Sequence, residues 1–123
     1  MVVRLKKPVE VEVPKIASIA SGSIAMTGIE QTLLEQPDGL VSRVSGYIDL
    51  TNLAAGDTLI IRMYIRVVTG GAWRLYHQDG YNGPVAPAIV HVLERPENHG
   101  LRLTLQQTAG VNKVIDYEFY QEV

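Results

Sequence analysis

The sequence predicts an all-β protein: an antiparallel, jelly-roll-like β-sandwich with an extended N-terminal arm. Three observations predict it. Short segments alternate apolar and polar residues with a period of two, as strands with one buried face do. Turn chemistry built on Gly, Pro, Asn and Asp recurs about every ten residues from Ile29 onward. No stretch sustains a helical period beyond about one turn, which Thr51-Asn52-Leu53-Ala54 has the composition to close.

The first 28 residues stand apart from the rest. Val2 to Val13 is basic and β-prone, but Pro8 removes a backbone donor and limits it to an edge strand or an extended arm. Val9, Val11 and Val13 alternate with Glu10 and Glu12, so one face needs a partner surface. Ile16, Ile19 and Ala20 have helical spacing that Ser21-Gly22-Ser23 cuts short. Residues 15–28 therefore read as an arm or irregular connection that could pack against a neighbour. The division is residues 1–28 as N-terminal arm or edge strand and 29–123 as the sandwich domain.

Seven strands are predicted after that, at 29–35, 42–49, 58–68, 73–81, 87–94, 100–107 and 113–122. The breaks between them include Gln36-Pro37-Asp38-Gly39, Ala55-Gly56-Asp57, Thr69-Gly70-Gly71 and Ala109-Gly110-Val111-Asn112. There Gly and Asn supply positive φ, and Pro presets a turn. In the third strand Leu59, Ile61, Met63, Ile65 and Val67 share one face, and Arg62, Tyr64 and Arg66 the other. Leu101, Leu103 and Leu105 oppose Arg102, Thr104 and Gln106 in the same way. In the last strand Ile115, Tyr117 and Phe119 oppose Asp116, Glu118 and Tyr120.

Composition bounds the function. A chain of 123 residues supports one core and buries roughly two thirds of its unfolded surface. Hydrophobic residues at 46% and charged residues at 20% exclude disorder. Thirteen acids against eleven bases argue against a general polyanion binder, so no direct nucleic-acid contact is expected. With no cysteine there is no disulfide, thiolate metal site or cysteine nucleophile. No apolar h-region follows the basic start, and the uncharged run from Ile16 to Ile29 is too short and polar to span a bilayer. No membrane association is expected.

Catalytic patterns are weak. His77 and Asp79 lie two apart on a strand and share a face, but spacing supplies no third metal ligand. His91 shares a face with Ile89 and Leu93 and reads as an inward or seam histidine, while His99 sits in a turn. Glu10 with Glu12, and Asp116 with Glu118, lie along single strand faces, whereas glycoside hydrolysis needs carboxylates facing across a cleft. Ser42 and Ser45 lack a Gly-x-Ser-x-Gly context, and Thr69-Gly70-Gly71 precedes no helix that would cradle phosphate. The expectation is a protein that is not an enzyme and carries no metal or cofactor.

Aromatic residues and charge layout point to binding instead. Trp73, Tyr76 and Tyr81 could stack on a sugar ring or anchor an interface, although Trp73 by itself reads first as a core residue. The first fifteen residues carry Arg4, Lys6, Lys7 and Lys15 against Glu10 and Glu12, a net +2. Residues 114–123 carry Asp116, Glu118 and Glu122, a net −3. Such ends can pair within one subunit or between subunits.

Gly46-Tyr47-Ile48-Asp49-Leu50-Thr51-Asn52-Leu53 with Gly56-Asp57-Thr58, and Leu103-Thr104-Leu105-Gln106-Gln107-Thr108-Ala109-Gly110 closing on Asp116-Tyr117-Glu118-Phe119, form a pattern. Across about residues 44–122 it resembles small all-β proteins that phages and archaeal viruses encode near their capsid genes. The resemblance implies a virion structural protein, assembled in the host cytoplasm, of the capsid-decoration or minor-capsid type. Its partners would be like subunits in a homo-oligomer, the major capsid protein or other virion subunits. Candidate contacts are Val9, Val11, Val13, Ile16 and Ile19 on the arm, with Arg62, Tyr64 and Arg66 on the outer strand face. The alternative is a carbohydrate- or ligand-binding sandwich that uses Trp73, Tyr76 and Tyr81.

Overall fold

The computed structural model describes residues 16–36, 43–94 and 100–122. The candidate contacts Val9, Val11 and Val13, together with Ser42 and His99, lie outside the described residues. Eight strands follow in order: β1 (Ile16–Ala25), β2 (Gln31–Gln36), β3 (Val44–Asp49), β4 (Thr58–Ile65), β5 (Arg74–Asn82), β6 (Ile89–Glu94), β7 (Leu101–Ala109) and β8 (Val114–Glu122). They form two four-stranded sheets, sheet A in the order β1-β8-β3-β6 and sheet B in the order β2-β7-β4-β5. All strand pairings are antiparallel.

The pairing is nested. β4 pairs β5, β3 pairs β6, β2 pairs β7 and β1 pairs β8. The first four strands thus run against the last four like one long hairpin. Successive rungs of that hairpin fall alternately in sheet B and sheet A, so the ribbon wraps around the core. This winding is the jelly roll, and the fold is the predicted antiparallel sandwich.

The predicted alternation supplies the core. Leu59, Leu101, Leu103 and Leu105 of sheet B face Val44, Ile48, Ile115 and Phe119 of sheet A, all of them buried. Large apolar side chains of this kind each stabilise by about 1.5–3 kcal/mol when buried. Gly46 on β3 lies opposite Phe119 in the β3–β8 register. A Cβ at Gly46 would meet the Glu118 carbonyl, Phe119 Cα at 2.8 Å and Phe119 Cδ1 at 2.5 Å. Glycine here lets the largest core ring lie against the neighbouring strand.

Several sequence expectations are corrected. Residues 15–28 were expected to form an arm or irregular connection, but Ile16–Ala25 is a ten-residue strand at the edge of sheet A. Ile19, Ala20 and Ile24 pack against the core, and Met26 is buried in it. Its Ser, Ala and Gly content conceals a strand because β8 supplies the apolar partners. The predicted strand 58–68 ends at Ile65, and Val67 is exposed instead of lining the core. There the chain turns, with the Gly71 N–H donating to the Val68 carbonyl at 2.9 Å.

His91 is exposed, together with Ile89 and Leu93, and the inward positions of β6 are Val90 and Val92. The run Ile89-Val90-His91-Val92-Leu93 is apolar on both parities, so alternation alone could not choose the buried face. Trp73 is half-exposed and precedes β5; it is not the central core residue.

A polar brace ties two loops at one end of the sandwich. The buried Asp57 carboxylate accepts from the Ala54 N–H at 2.8 Å, the Val111 N–H at 3.0 Å and Lys113 Nζ at 2.5 Å. Gln107, also buried, donates to the Ala109 and Val111 carbonyls and accepts from the Lys113 N–H. The β3–β4 and β7–β8 connections are thereby held in fixed relation.

Candidate functional site

The outer face of sheet B carries the predicted Arg62, Tyr64 and Arg66 and binds them into a wider network. Arg62 projects outward because β4 alternates and its odd-numbered side chains take the core. Its guanidinium donates to Gln78 Oε1 at 2.9 Å and to Gln106 Oε1 at 2.8 Å, and lies 3.4 Å from Glu30. Glu30 also accepts from the Tyr64 hydroxyl and from Thr104 Oγ1, both at 2.5 Å. Side chains from three neighbouring strands and the β1–β2 connection thus converge on one ion pair.

Partial burial raises the Glu30 pKa, but hydrogen bonds from Thr104 and Tyr64 and the charges of Arg62 and Arg102 outweigh it. The net direction is downward, so Glu30 is a settled carboxylate. Burial, followed by the hydrogen bond to Glu30 and its charge, raises Tyr64. Tyr64 therefore remains a phenol that donates.

Beside this network, Trp73 makes cation–π contacts with two arginines. Arg66 Cζ is 4.3 Å from the ring centroid and Arg102 Cζ is 4.7 Å from it. Arg102 Nε also donates to Glu35 at 3.0 Å. Cation–π contacts at such exposed sites contribute about 0.5–1 kcal/mol each. The long side chains on this face are held before any partner arrives, which lowers the entropy lost on docking.

The outer face of sheet A has a different character. Tyr47, Asp49, Asp116, Tyr117, Glu118 and Tyr120 line a shallow groove across β3 and β8. Asp49 lies directly opposite Asp116 in the register, and Tyr47 opposite Glu118. Tyr47 stacks on His91 with ring centroids 5.0 Å apart. Hydrogen bonds from the Thr51 hydroxyl and N–H lower the Asp49 pKa against the effect of burial, and Ser23 donates to Asp116 at 2.5 Å. Ile89 and Leu93 stand half-exposed on the adjoining β6.

The remaining candidates are dispersed. Ile19 sits where the β1–β8 register shifts and packs on the molecule's own core. Ile16 opens β1, opposite Glu122. Tyr81 is partly buried against the core, Tyr76 is exposed at the register shift of β5, and Trp73 contacts the two arginines. The three aromatics occupy three separate surroundings. His77 Nε2 lies 2.9 Å from Asp79 Oδ2, and among the described residues no three His, Asp or Glu side chains gather as metal ligands.

Sequence reasoning missed Glu30 and Arg102 as members of the sheet B face. Glu30 lies just outside a strand, and the β2–β7 pairing that brings it to Thr104 joins positions about seventy residues apart. The available signal was the polar parity of Arg102, Thr104 and Gln106, which matches that of Arg62 and Tyr64.

No protein-family model matches the sequence, and no curated protein matches it significantly. Among solved structures, a chain from infectious bursal disease virus, Gx strain, is similar with a TM-score of 0.47 and 12% identity. That similarity covers 96% of this chain and 37% of the other. A chain from the Gt strain of the same virus gives a TM-score of 0.46 and 13% identity over 97% of this chain and 38% of the other. This chain therefore spans well under half the length of the viral chains it matches.

Proposed function

We propose that this chain is a virion structural subunit, of the capsid-decoration or minor-capsid type. It docks on like subunits or on the capsid shell and has no catalytic chemistry of its own. The observation that carries the reading is the pre-ordered outer face of sheet B on a complete jelly roll. Arg62, Glu30 and Tyr64 are held together there, and beside them Arg66 and Arg102 contact Trp73. Jelly rolls serve widely as capsid and lectin domains, and this fold-level analogy supplies the virion context. An aromatic residue flanked by arginines is the kind of group that dominates protein interfaces.

On this reading the protein assembles in the host cytoplasm, resides in the virion, and needs neither cofactor nor direct nucleic-acid contact. The test is incorporation. Particles purified from infected cells should contain the protein, and Trp73→Ala or Arg62→Ala should reduce its occupancy while the isolated variants keep their β-sheet circular dichroism. Particles devoid of the protein would overturn the assignment.

The sheet A groove favours a second reading, carbohydrate binding, because the aromatic residues Tyr47 and Tyr120 line it beside the carboxylates Asp49, Asp116 and Glu118. A glycan that protects this groove from hydrogen exchange in the isolated protein would support it.

A further inference from the structure

We propose that the free edge of β5 is a two-fold docking strand for β5 of a second copy of this chain. The pairing would join two B sheets into one continuous eight-stranded sheet.

Among the described residues β5 is the terminal strand of sheet B, and β4 is its strand neighbour there. Eight of its nine residues are exposed, the exception being Tyr81. A long open edge with bare backbone donors and acceptors is a template for strand addition unless it is blocked. His77 to Gly80 contains neither Pro nor Lys, and the register shift of the strand falls at Tyr76, at the margin of that stretch. Leu75 and Tyr76 beside it are more than half exposed, apolar surface that an isolated edge has no use for.

The occupant follows from self-complementarity. An antiparallel two-fold centred on Gln78 places each residue of Tyr76-His77-Gln78-Asp79-Gly80 opposite its reverse. His77 then faces Asp79 of the second copy, and Asp79 faces its His77. Gln78 faces Gln78, whose amide both donates and accepts. Tyr76 faces Gly80, where no heavy atom lies within 4 Å of the Cβ position, so the ring has space. Every pair is compatible, and none opposes like charges.

In the monomer His77 and Asp79 already contact each other at 2.9 Å, with both side chains about half exposed. They can exchange that contact for the equivalent one across the axis without burying an unpaired charge. The register shift between Met63 and Tyr64 leaves Tyr76 as the extra residue of β5; pairing resumes at Leu75 and Arg74, and the evenly paired part of the strand runs from His77 to Asn82. A five-residue contact is small by the standard of stable interfaces, so the association is expected to be weak in solution and reinforced when copies are held together.

The proposal deepens the reading above by assigning the edge used between like subunits, and it rests on that reading only for its biological setting. The experiment uses the absence of native cysteine. The full chain with Gln78→Cys is oxidised mildly at increasing concentration, beside Val111→Cys, which puts a thiol on an exposed loop far along the chain. The Gln78→Cys chain is expected to form covalent dimers and the Val111→Cys chain to remain monomeric; equal cross-linking in both would overturn the proposal.

Sedimentation of cysteine-free variants gives a second readout. By symmetry His77→Asp sets two Asp–Asp oppositions across the axis, and is expected to weaken dimerisation about tenfold. The swap of His77→Asp with Asp79→His is expected to restore it to within about threefold. A monomer at every concentration, or a dimer indifferent to these changes, would overturn the β5 contact. A β5 dimer that is missing from particles would instead overturn only the virion reading.

Discussion

Gly46→Ala is the sharpest test of the packing argument. The added methyl would sit 2.5 Å from Phe119 Cδ1 and 2.8 Å from Phe119 Cα, and closer still to the Glu118 carbonyl. Ordinary carbon contacts need about 3.5 Å, so β3 and β8 must part by roughly 1 Å or the ring must leave its seat. Neither yields readily. Phe119 is fully buried, and β3 is held on its other side by β6.

Overpacking of a well-filled core costs about 1–3 kcal/mol, and a clash with backbone atoms places this site at the upper end. At about 4 °C per kcal/mol for a domain of this size, the melting temperature should fall by roughly 10 °C. Urea unfolding followed by circular dichroism measures the free energy directly. Gly80→Ala serves as the control, because the space there is open, and it should stay within about 0.5 kcal/mol of the parent. Adding Phe119→Leu to Gly46→Ala should make the two costs less than additive, since only the ring contact is relieved. A Gly46→Ala chain as stable as the parent would refute the claim that glycine seats the Phe119 ring.

Acid should destabilise the fold in a defined direction. Glu30, Asp49 and Asp57 all have carboxyl pKa values depressed in the folded state, Asp57 chiefly through its hydrogen bond with Lys113 and then that from the Ala54 N–H. A depressed folded pKa contributes stability that is present above the unfolded value and lost as pH falls through the folded one. Urea midpoints should therefore drop as pH falls below the ordinary carboxylate range, and Asp57→Asn should flatten that slope while lowering stability at neutral pH. Gln107→Ala should cost about 1–3 kcal/mol by leaving the Lys113 N–H and the two loop carbonyls without their side-chain partner. Amide exchange at 109–113 should quicken accordingly. Arg102→Ala should shift Trp73 fluorescence to the red by removing one of its two cation contacts, at a cost of about 0.5–1 kcal/mol. An unchanged spectrum would refute the Arg102–Trp73 contact.

Residue parity made much of the fold readable before any coordinates. In β4, β7 and β8 polar and apolar residues alternate cleanly, so Leu59, Leu103 and Phe119 could be assigned inward from their positions alone. Where both parities are apolar, as at Ile89 to Leu93, or where neither is, as in the Ser- and Ala-rich β1, that signal vanishes. The candidate site was half legible for the same reason. Arg62, Tyr64 and Arg66 share an outward parity, but their partners Glu30 and Arg102 reach them only through strand pairing.

What the sequence determined by itself is local: the β class, the turn positions, the outward parity of Arg62, Tyr64 and Arg66 and the absence of any thiol chemistry. These follow from side-chain period and backbone preference within a few residues. The nested winding, the membership of β1 in sheet A, the contacts of Trp73 with two arginines and the place of β5 at the edge of sheet B among the described residues were decided by tertiary structure. The reason is physical: which strand lies beside which depends on burying all the apolar faces at once, and β1 meets β8 across nearly the whole described chain.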